Sequence, residues 1–297
     1  MRRISIIIYL IGLAFHGLAG DVDPRKFDYS KADSIALNCN RKYLKTFDLA
    51  YALTKDLRTD HEKFRSLFRW VANNISYSFS AKNSDPQYIL KKKRAVCSGY
   101  SNLLNELCFH AKINCEIVEG FAKSYGADIG KIKEANHAWN TVELDGTWYL
   151  VDVTWAAGYV DKRKFYRKFD EYYFLTPPEE FIWRHYPVDS RWFLFDNPMS
   201  KREFERNPIK VKFYFYLGIE EKKKCMGVVG NRLSYKFIAN QTINSISIKF
   251  ERQQDFIPIE FIEDSGVYII DVSLKDKVSG VFYLFINRFH VSTFNHK

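Results

Sequence analysis

Three residues far apart in the chain combine into one chemistry. Asp145-Gly146 is a two-residue type I′ turn signal between two alternating apolar runs. Zipping the strands back from that turn sets Leu144 opposite Thr147, Trp139 opposite Asp152 and His137 opposite Thr154. His137 and Asp152 then share one face as diagonal neighbours, about 7 Å apart at the backbone and within reach of an imidazole–carboxylate hydrogen bond. The other face, with Ala138, Val142, Leu144, Tyr149, Val151 and Val153, reads as core. A histidine held by an aspartate is two-thirds of a nucleophilic triad and needs a thiol or hydroxyl beside it. Cys97 supplies the thiol. It directly precedes a helix expected over Ser98 to His110, whose dipole and free N–H groups favour a thiolate and suit an oxyanion. Lys93 and Arg94, just upstream, add a smaller push in the same direction.

The elements that must position this triad are legible around it. Residues 46 to 75 read as two helices, the first capped by Thr46 or Asp48 and the second opened by the capping box Thr59-x-x-Glu62. Asp85-Pro86 opens a short helix that ends at the basic run Lys91 to Arg94, where cations suit the dipole. In the helix after Cys97, Leu103, Leu104, Leu107 and Phe109 are expected to pack on strands at Cys115 to Ala122, Asn136 to Leu144 and Thr147 to Trp155. Helices first and antiparallel strands after make an α+β domain over residues 46–175, preceded by an extension over 21–45.

Five of the eight prolines fall between Phe174 and Pro208, so residues 176–207 read as a connecting segment. Beyond it, strand-like runs lie near Val211 to Leu217, Gly227 to Val229, Leu233 to Ala239, Ile243 to Phe250, Ile257 to Ile262, Val267 to Leu274 and Val281 to Asn287. Short strands at that density predict an all-β, immunoglobulin-like sandwich over 208–297.

Composition narrows the function classes. The chain has 297 residues, 46% apolar and 17% aromatic, too much packing material for a disordered chain. Met1-Arg2-Arg3, the apolar run from Ile4 and Gly17-Leu18-Ala19-Gly20 read as a signal peptide over residues 1–20, predicting a secreted or periplasmic protein with no stable membrane span after cleavage. Asn74-Ile75-Ser76 and Asn240-Gln241-Thr242 are glycosylation sequons, with meaning only in a eukaryotic secretory pathway. The net charge of +10 favours acidic proteins or an anionic cell-surface polymer as partners. The basic runs at Lys91 to Arg94 and Lys222 to Lys224 lack any zinc-finger, RRM or helix-turn-helix pattern, so no nucleic-acid partner is expected.

Five cysteines are too few for a disulfide scaffold. Cys39, Cys115 and Cys225 are expected as buried thiols or an occasional bridge, and Cys97 and Cys108 stand too far apart along their helix to join. Cys108, His110 and Cys115 look like metal ligands, but two positions on a helix point roughly 200° apart and cannot chelate together. No metal is expected.

The residues also carry a resemblance. Arg94-Ala95-Val96-Cys97-Ser98-Gly99-Tyr100-Ser101-Asn102-Leu103, Glu119-Gly120-Phe121-Ala122-Lys123, Asn136-His137-Ala138-Trp139-Asn140 and Trp148-Tyr149-Leu150-Val151-Asp152-Val153-Thr154-Trp155 resemble the transglutaminase-like superfamily, and within it the kyphoscoliosis peptidase group. Tyr173 to Pro177, Arg191 to Leu194 and Glu203-Phe204 extend the likeness to about Leu49 to Pro208. The resemblance implies a papain/transglutaminase-like cysteine-hydrolase core with Cys97 as nucleophile, His137 as base, Asp152 as orienter and no cofactor. The sequence departs from the family at Ser98, where an acidic or small residue is expected, and shows no calcium loop, which disfavours a calcium-gated cross-linker. The expected activity is hydrolysis of amide bonds in a protein or cell-wall peptide. Its alternatives are protein cross-linking by acyl transfer to an amine, and a catalytically silent adhesion or assembly module.

Overall fold

A computed structural model of the chain describes residues 23–39, 45–222, 227–274 and 280–296. The expected signal peptide and Cys225 lie outside the described residues, and among those described no helix is long and apolar enough to cross a membrane.

The first half is built as helices α1 (Ser30–Asn38), α2 (Thr46–Thr54) and α3 (Asp60–Asn74), strand β1 (Ser76–Tyr77), helix α4 (Pro86–Lys92), strand β2 (Arg94–Ala95) and helix α5 (Cys97–Ala111). The Thr59/Glu62 capping box opens α3, and the Asp85 carboxylate accepts the Tyr88 N–H at 2.7 Å to open α4. Neither expected cap forms at α2. Its N-cap is Lys45, and the buried Thr46 hydroxyl instead donates to Glu106 Oε1 at 3.2 Å, tying α2 to α5. Helix α1, inside the expected extension, packs on α3: Arg65 reaches Asp33 with Nε at 2.6 Å and Nη2 at 2.8 Å while also binding Glu171. Its guanidinium lies 4.6 Å over the Phe174 ring, so one buried cation joins α1, α3 and the chain that follows the sheet.

Strands β3 (Cys115–Ala122), β4 (His137–Leu144) and β5 (Thr147–Val151) lead to helix α6 (Val153–Ala157), the hairpin β6 (Gly158–Asp161) and β7 (Lys164–Arg167), helix α7 (Pro178–Phe181), strand β8 (His185–Pro187) and helix α8 (Lys201–Arg206). The central sheet is antiparallel in the order β5-β4-β3-β8. Leu103, Leu104 and Leu107 of α5 are fully buried, but Phe109 is 73% exposed, contrary to expectation. Two positions beyond Leu107 it has turned about 200° round the helix, away from the sheet. On the other face Val118, Trp139 and Leu150 are covered by Phe181. The proline-rich segment therefore supplies both an edge strand and a cover for the sheet.

The hairpin pairs as its turn predicts from Leu144–Thr147 up to Asn140–Val151. The expected pairs Trp139–Asp152 and His137–Thr154 are not made. The strand stops because Asp152 caps α6, its Oδ1 accepting the Trp155 N–H at 2.9 Å, while its own N–H leaves the ladder for the Tyr173 carbonyl at 3.0 Å.

The second half comprises β9 (Ile209–Lys210), α9 (Lys212–Tyr216), β10 (Glu220–Glu221), β11 (Gly227–Val229), β12 (Arg232–Ile238), β13 (Ile246–Phe250), β14 (Ile257–Pro258), β15 (Ile262–Asp264), β16 (Val267–Ser273), β17 (Gly280–Ile286) and β18 (Phe289–His296). One sheet runs β10-β12-β16-β15 with β11 on β12, the other β14-β13-β17-β18-β9. Between them lies a core that includes Leu233, Phe237, Ile248, Phe282 and Leu284. Two expected strands are corrected. Val211 to Leu217 contains helix α9, which turns Tyr214 and Leu217 inward at helical spacing, and Ile257 to Ile262 divides after Pro258 into strands of different sheets. Strand β18 was not expected. Its hairpin turns on Asn287 and Arg288, both with positive φ, where Arg masks the turn signal that Asn-Gly would give.

Lysines of the second half reach across to the first: Lys210 Nζ, paired with Glu221 at 2.6 Å, lies 3.4 Å over the Trp183 ring, and Lys212 Nζ binds Asp170 at 2.9 Å. The buried Lys123 Nζ donates to the carbonyls of Phe204 at 2.7 Å and Asn207 at 2.9 Å, fixing α8 just before the junction.

Gly120 is where β3, β8 and Trp139 come closest: a Cβ there would stand 2.4 Å from the Tyr186 carbonyl oxygen and 2.3 Å from the Trp139 ring. Gly120→Ala is expected to lower unfolding stability by about 1–3 kcal/mol, as other overpacked sites do. Urea unfolding of both chains checks it, and an unchanged midpoint would show that β8 is not seated this tightly.

Candidate active site

Cys97 is the first residue of α5. Val96 is an extended N-cap without a side-chain cap, so first-turn N–H groups remain available beside the thiol. That end of the helix is held by close packing, since a Cβ on Gly99 would stand 2.8 Å from both Ala95 Cβ and Ile89 Cδ1. The buried Asn140 amide of β4 donates to the Ser101 carbonyl at 3.1 Å, fixing the helix against the strand that carries His137.

Strand β4 begins at His137, and its imidazole hydrogen-bonds to two residues. Nε2 lies 2.7 Å from Asp152 Oδ2, and the ring is also hydrogen-bonded to the Cys97 thiol, which receives the Ala138 N–H as well. The three residues named from the sequence therefore meet. Asp152 reaches His137 from the cap of α6, not as a diagonal strand neighbour.

A fourth residue was missed. His185 of β8 puts its Nε2 2.9 Å from the same Asp152 Oδ2, and its ring stacks on Phe181 with centroids 3.9 Å apart and packs against Trp155 at 4.3 Å. Nothing in the spacing ties residue 185 to residue 152, because β8 joins the far edge of the sheet after a long irregular path. The one available signal was a histidine in a short run ended by Pro187.

Burial penalises every charge here, and the contacts decide which survive. Asp152 is fully buried, yet the charge on His137 and the hydrogen bonds from His137 and His185 hold its carboxyl well below the usual range. Burial also opposes a charge on His137, but Asp152 and Cys97 outweigh it and raise the imidazole to about 9. For Cys97 burial works against the thiolate, and the hydrogen bond and charge of His137 overcome it, lowering the thiol. His185 goes the other way: burial outweighs Asp152 and brings it down to about 4, so at neutral pH it is an uncharged donor. The contacts thus favour a Cys97 thiolate and a His137 imidazolium beside an ionised Asp152.

His137, Asp152 and His185 offer ligand atoms within 4.8 Å of one another, a set whose chemistry would suit an ion. Their separations do not. Groups around a tetrahedral zinc stand roughly 3.4 Å apart, whereas Asp152 Oδ2 is 2.7 and 2.9 Å from the two nitrogens. These distances describe shared protons. The Cys108, His110 and Cys115 set is likewise not gathered: the Cys108 thiol hydrogen-bonds Cys115, while His110 binds Glu106 at 3.0 Å. Cys97, Cys108 and Cys115 are free thiols, and Cys39 and Cys115 are half-buried where burial was expected.

Cys97 opens onto a cavity of about 480 Å³ walled largely by aromatic rings, among them Tyr77, Phe79, Tyr125, Trp155, Tyr159 and Tyr173.

Residues 48–153 match the transglutaminase-like superfamily. The chain is 36% identical over 178 residues to the kyphoscoliosis peptidase of Homo sapiens, covering 56% of this chain and 27% of that protein. It is 30% identical over 227 residues to Hillarin of Drosophila melanogaster, covering 70% of this chain and 28% of that one. Against the Lim and transglutaminase domain protein ltd-1 of Caenorhabditis elegans it is 27% identical over 271 residues, 83% of this chain and 36% of the relative. The chain spans about a quarter to a third of the length of these relatives. The matched stretch, residues 48–153, holds Cys97, His137 and Asp152 and is similar to the kyphoscoliosis peptidases, and a β-sandwich follows it.

The thiolate–imidazolium pair has a pH signature. His137 is raised above its ordinary 6.5, so the stability it contributes is complete below about 6.5 and is lost as pH rises through about 9. The difference in melting temperature between the parent and His137→Gln is expected to shrink over that window. In the same preparations, iodoacetamide near pH 6 is expected to label Cys97 before Cys39, Cys108 or Cys115. Preferential labelling of another thiol would contradict the pair.

Proposed function

We propose that this protein is an exported cysteine peptidase or amidase that cleaves amide bonds of a protein or cell-wall peptide, with Cys97 as nucleophile, His137 as acid and base, and Asp152 as orienter. The observation that carries the reading is the buried chain of hydrogen bonds from Cys97 through His137 to Asp152, whose thiol end faces the aromatic cavity. Export is supported by the basic, apolar and small-residue pattern of residues 1–20.

The steps follow from the groups present. The Cys97 thiolate adds to the amide carbonyl carbon, and the oxyanion is met by N–H groups at the start of α5. The C–N bond then breaks as His137 gives its proton to the leaving amine, which departs and leaves a thioester. Water attacks that thioester while the neutral imidazole takes its proton. The acid leaves and the thiolate–imidazolium pair is restored. His137 Nε2–H stays on Asp152 throughout, leaving Nδ1 to exchange the proton.

Asp152→Asn is expected to keep the fold and lose roughly two to four orders of magnitude in kcat/KM, the scale of comparable orienter changes. Cys97→Ala should be inactive. Kinetics on one fluorogenic peptide amide, with melting curves as a folding control, test both, and full activity in either variant would sink the reading. A labelled primary amine included in the assay tests the second step, since its quantitative capture in place of water would make the protein a cross-linker. His185→Gln, which keeps a donor toward Asp152, is expected to retain more activity than His185→Phe and to shift the acid limb of the pH–rate profile less.

A further inference from the structure

The cavity beside Cys97 carries more positive charge than it neutralises. Its lining includes three cations, Lys168, Arg184 and Lys212, against one carboxylate, Asp170. Lys212 already occupies that carboxylate, with Nζ 3.0 and 2.9 Å from its two oxygens. Lys168 and Arg184 form no ion pair among the described residues.

Arg184 is built in, not loosely tethered. Its Nε donates to the Lys123 carbonyl at 3.2 Å, Nη1 to the Tyr173 hydroxyl at 2.9 Å and Nη2 to the Ser124 carbonyl at 3.1 Å, and the guanidinium lies 4.2 Å over the Trp155 ring. All these partners are neutral, so the full charge remains, and a guanidinium has five N–H donors of which these contacts use three. A planar cation fixed this way, with donors to spare in a low-dielectric wall, is preorganised for a carboxylate. Lys168 adds a second, exposed charge at the mouth, with its backbone N–H donated to the Ala157 carbonyl. Charges of one sign in a concave site focus their field on whatever enters. Beside them Tyr125 and Tyr159 present half or more of their surface to solvent at the rim, flat apolar faces for a neighbouring side chain.

We infer that the cavity selects an acidic polypeptide segment, in which an Asp or Glu side chain close to the reacting amide is held by Arg184 and Lys168 while an adjoining apolar or aromatic side chain lies on Tyr125 and Tyr159. The location of the reacting amide rests on the hydrolase reading above; the recognition itself needs no turnover.

Binding to the full chain carrying Cys97→Ala separates the two. Four peptides with the same aromatic residue are compared by tryptophan fluorescence: blocked at both ends with Glu, Gln or Lys at the variable position, and the Gln peptide with a free C-terminal carboxylate. The Glu peptide is expected to bind about tenfold more tightly than blocked Gln, with Lys weakest. Added salt should erode that advantage, and a second substitution, Lys168→Glu, should remove most of it. A Glu peptide that binds no better than blocked Gln, or an advantage that belongs to the free C-terminus instead, overturns the inference. Turnover of the Glu peptide by the parent is scored separately: a Glu preference without turnover would remove the hydrolase reading alone, and turnover without a Glu preference would remove this inference alone.

Discussion

One carboxylate oxygen, Oδ2 of Asp152, accepts hydrogen bonds from two imidazoles, and the architecture of the first half is arranged to make that possible. A fully buried carboxylate is stable as an anion only if its lone pairs are met by donors held in place. Here the donors arrive from three elements: His137 at the start of β4, His185 in β8, and the Trp155 N–H of α6. Strand β5 must end at Val151 for Asp152 to turn, and β8 must join the sheet beside β3 for His185 to arrive. The two histidines then hold different charge states on one acceptor. His137 has a thiol on its other side and keeps a proton to about 9, while His185 has aromatic rings around it and stays neutral down to about 4. Environment, not residue type, separates an acid–base group from a structural donor.

Much of this was legible in the chain, for local reasons. The Asp145-Gly146 turn sets the hairpin register, α5 begins at Cys97, one residue before the start expected at Ser98, and Asp85-Pro86 and Thr59 mark helix starts by short-range chemistry. The triad could be read because His137 opens that hairpin and Asp152 directly follows its second strand. What could not be read depends on contacts between distant segments. The residue at 152 serves equally well as a strand member or a helix cap, and only the Tyr173 carbonyl that takes its N–H decides between them. His185 is separated from Asp152 by a segment whose prolines suggest a mere connection, and its role exists only once β8 has paired. In the second half, α9 alternates like a strand but turns because its N-terminal side packs on β18. Propensity yields to packing at each of these places.

The sandwich and the half that carries the candidate site share more than a tether. The buried Lys210 lies over the Trp183 ring across the seam, and the turn at Gly126 lies so close to Val281 and Thr293 that a Cβ there would stand 2.4 Å from a Val281 methyl. The cavity wall crosses the same seam, since Lys212 of α9 belongs to the second half and Asp170 to the first. Under the proposed hydrolase reading, substrate choice is therefore partly written outside Cys97, His137 and Asp152. In a lineage that exchanged or duplicated its C-terminal unit, recognition could diverge while Cys97, His137 and Asp152 stayed untouched, making the sandwich a cassette through which one inherited reaction is handed from target to target.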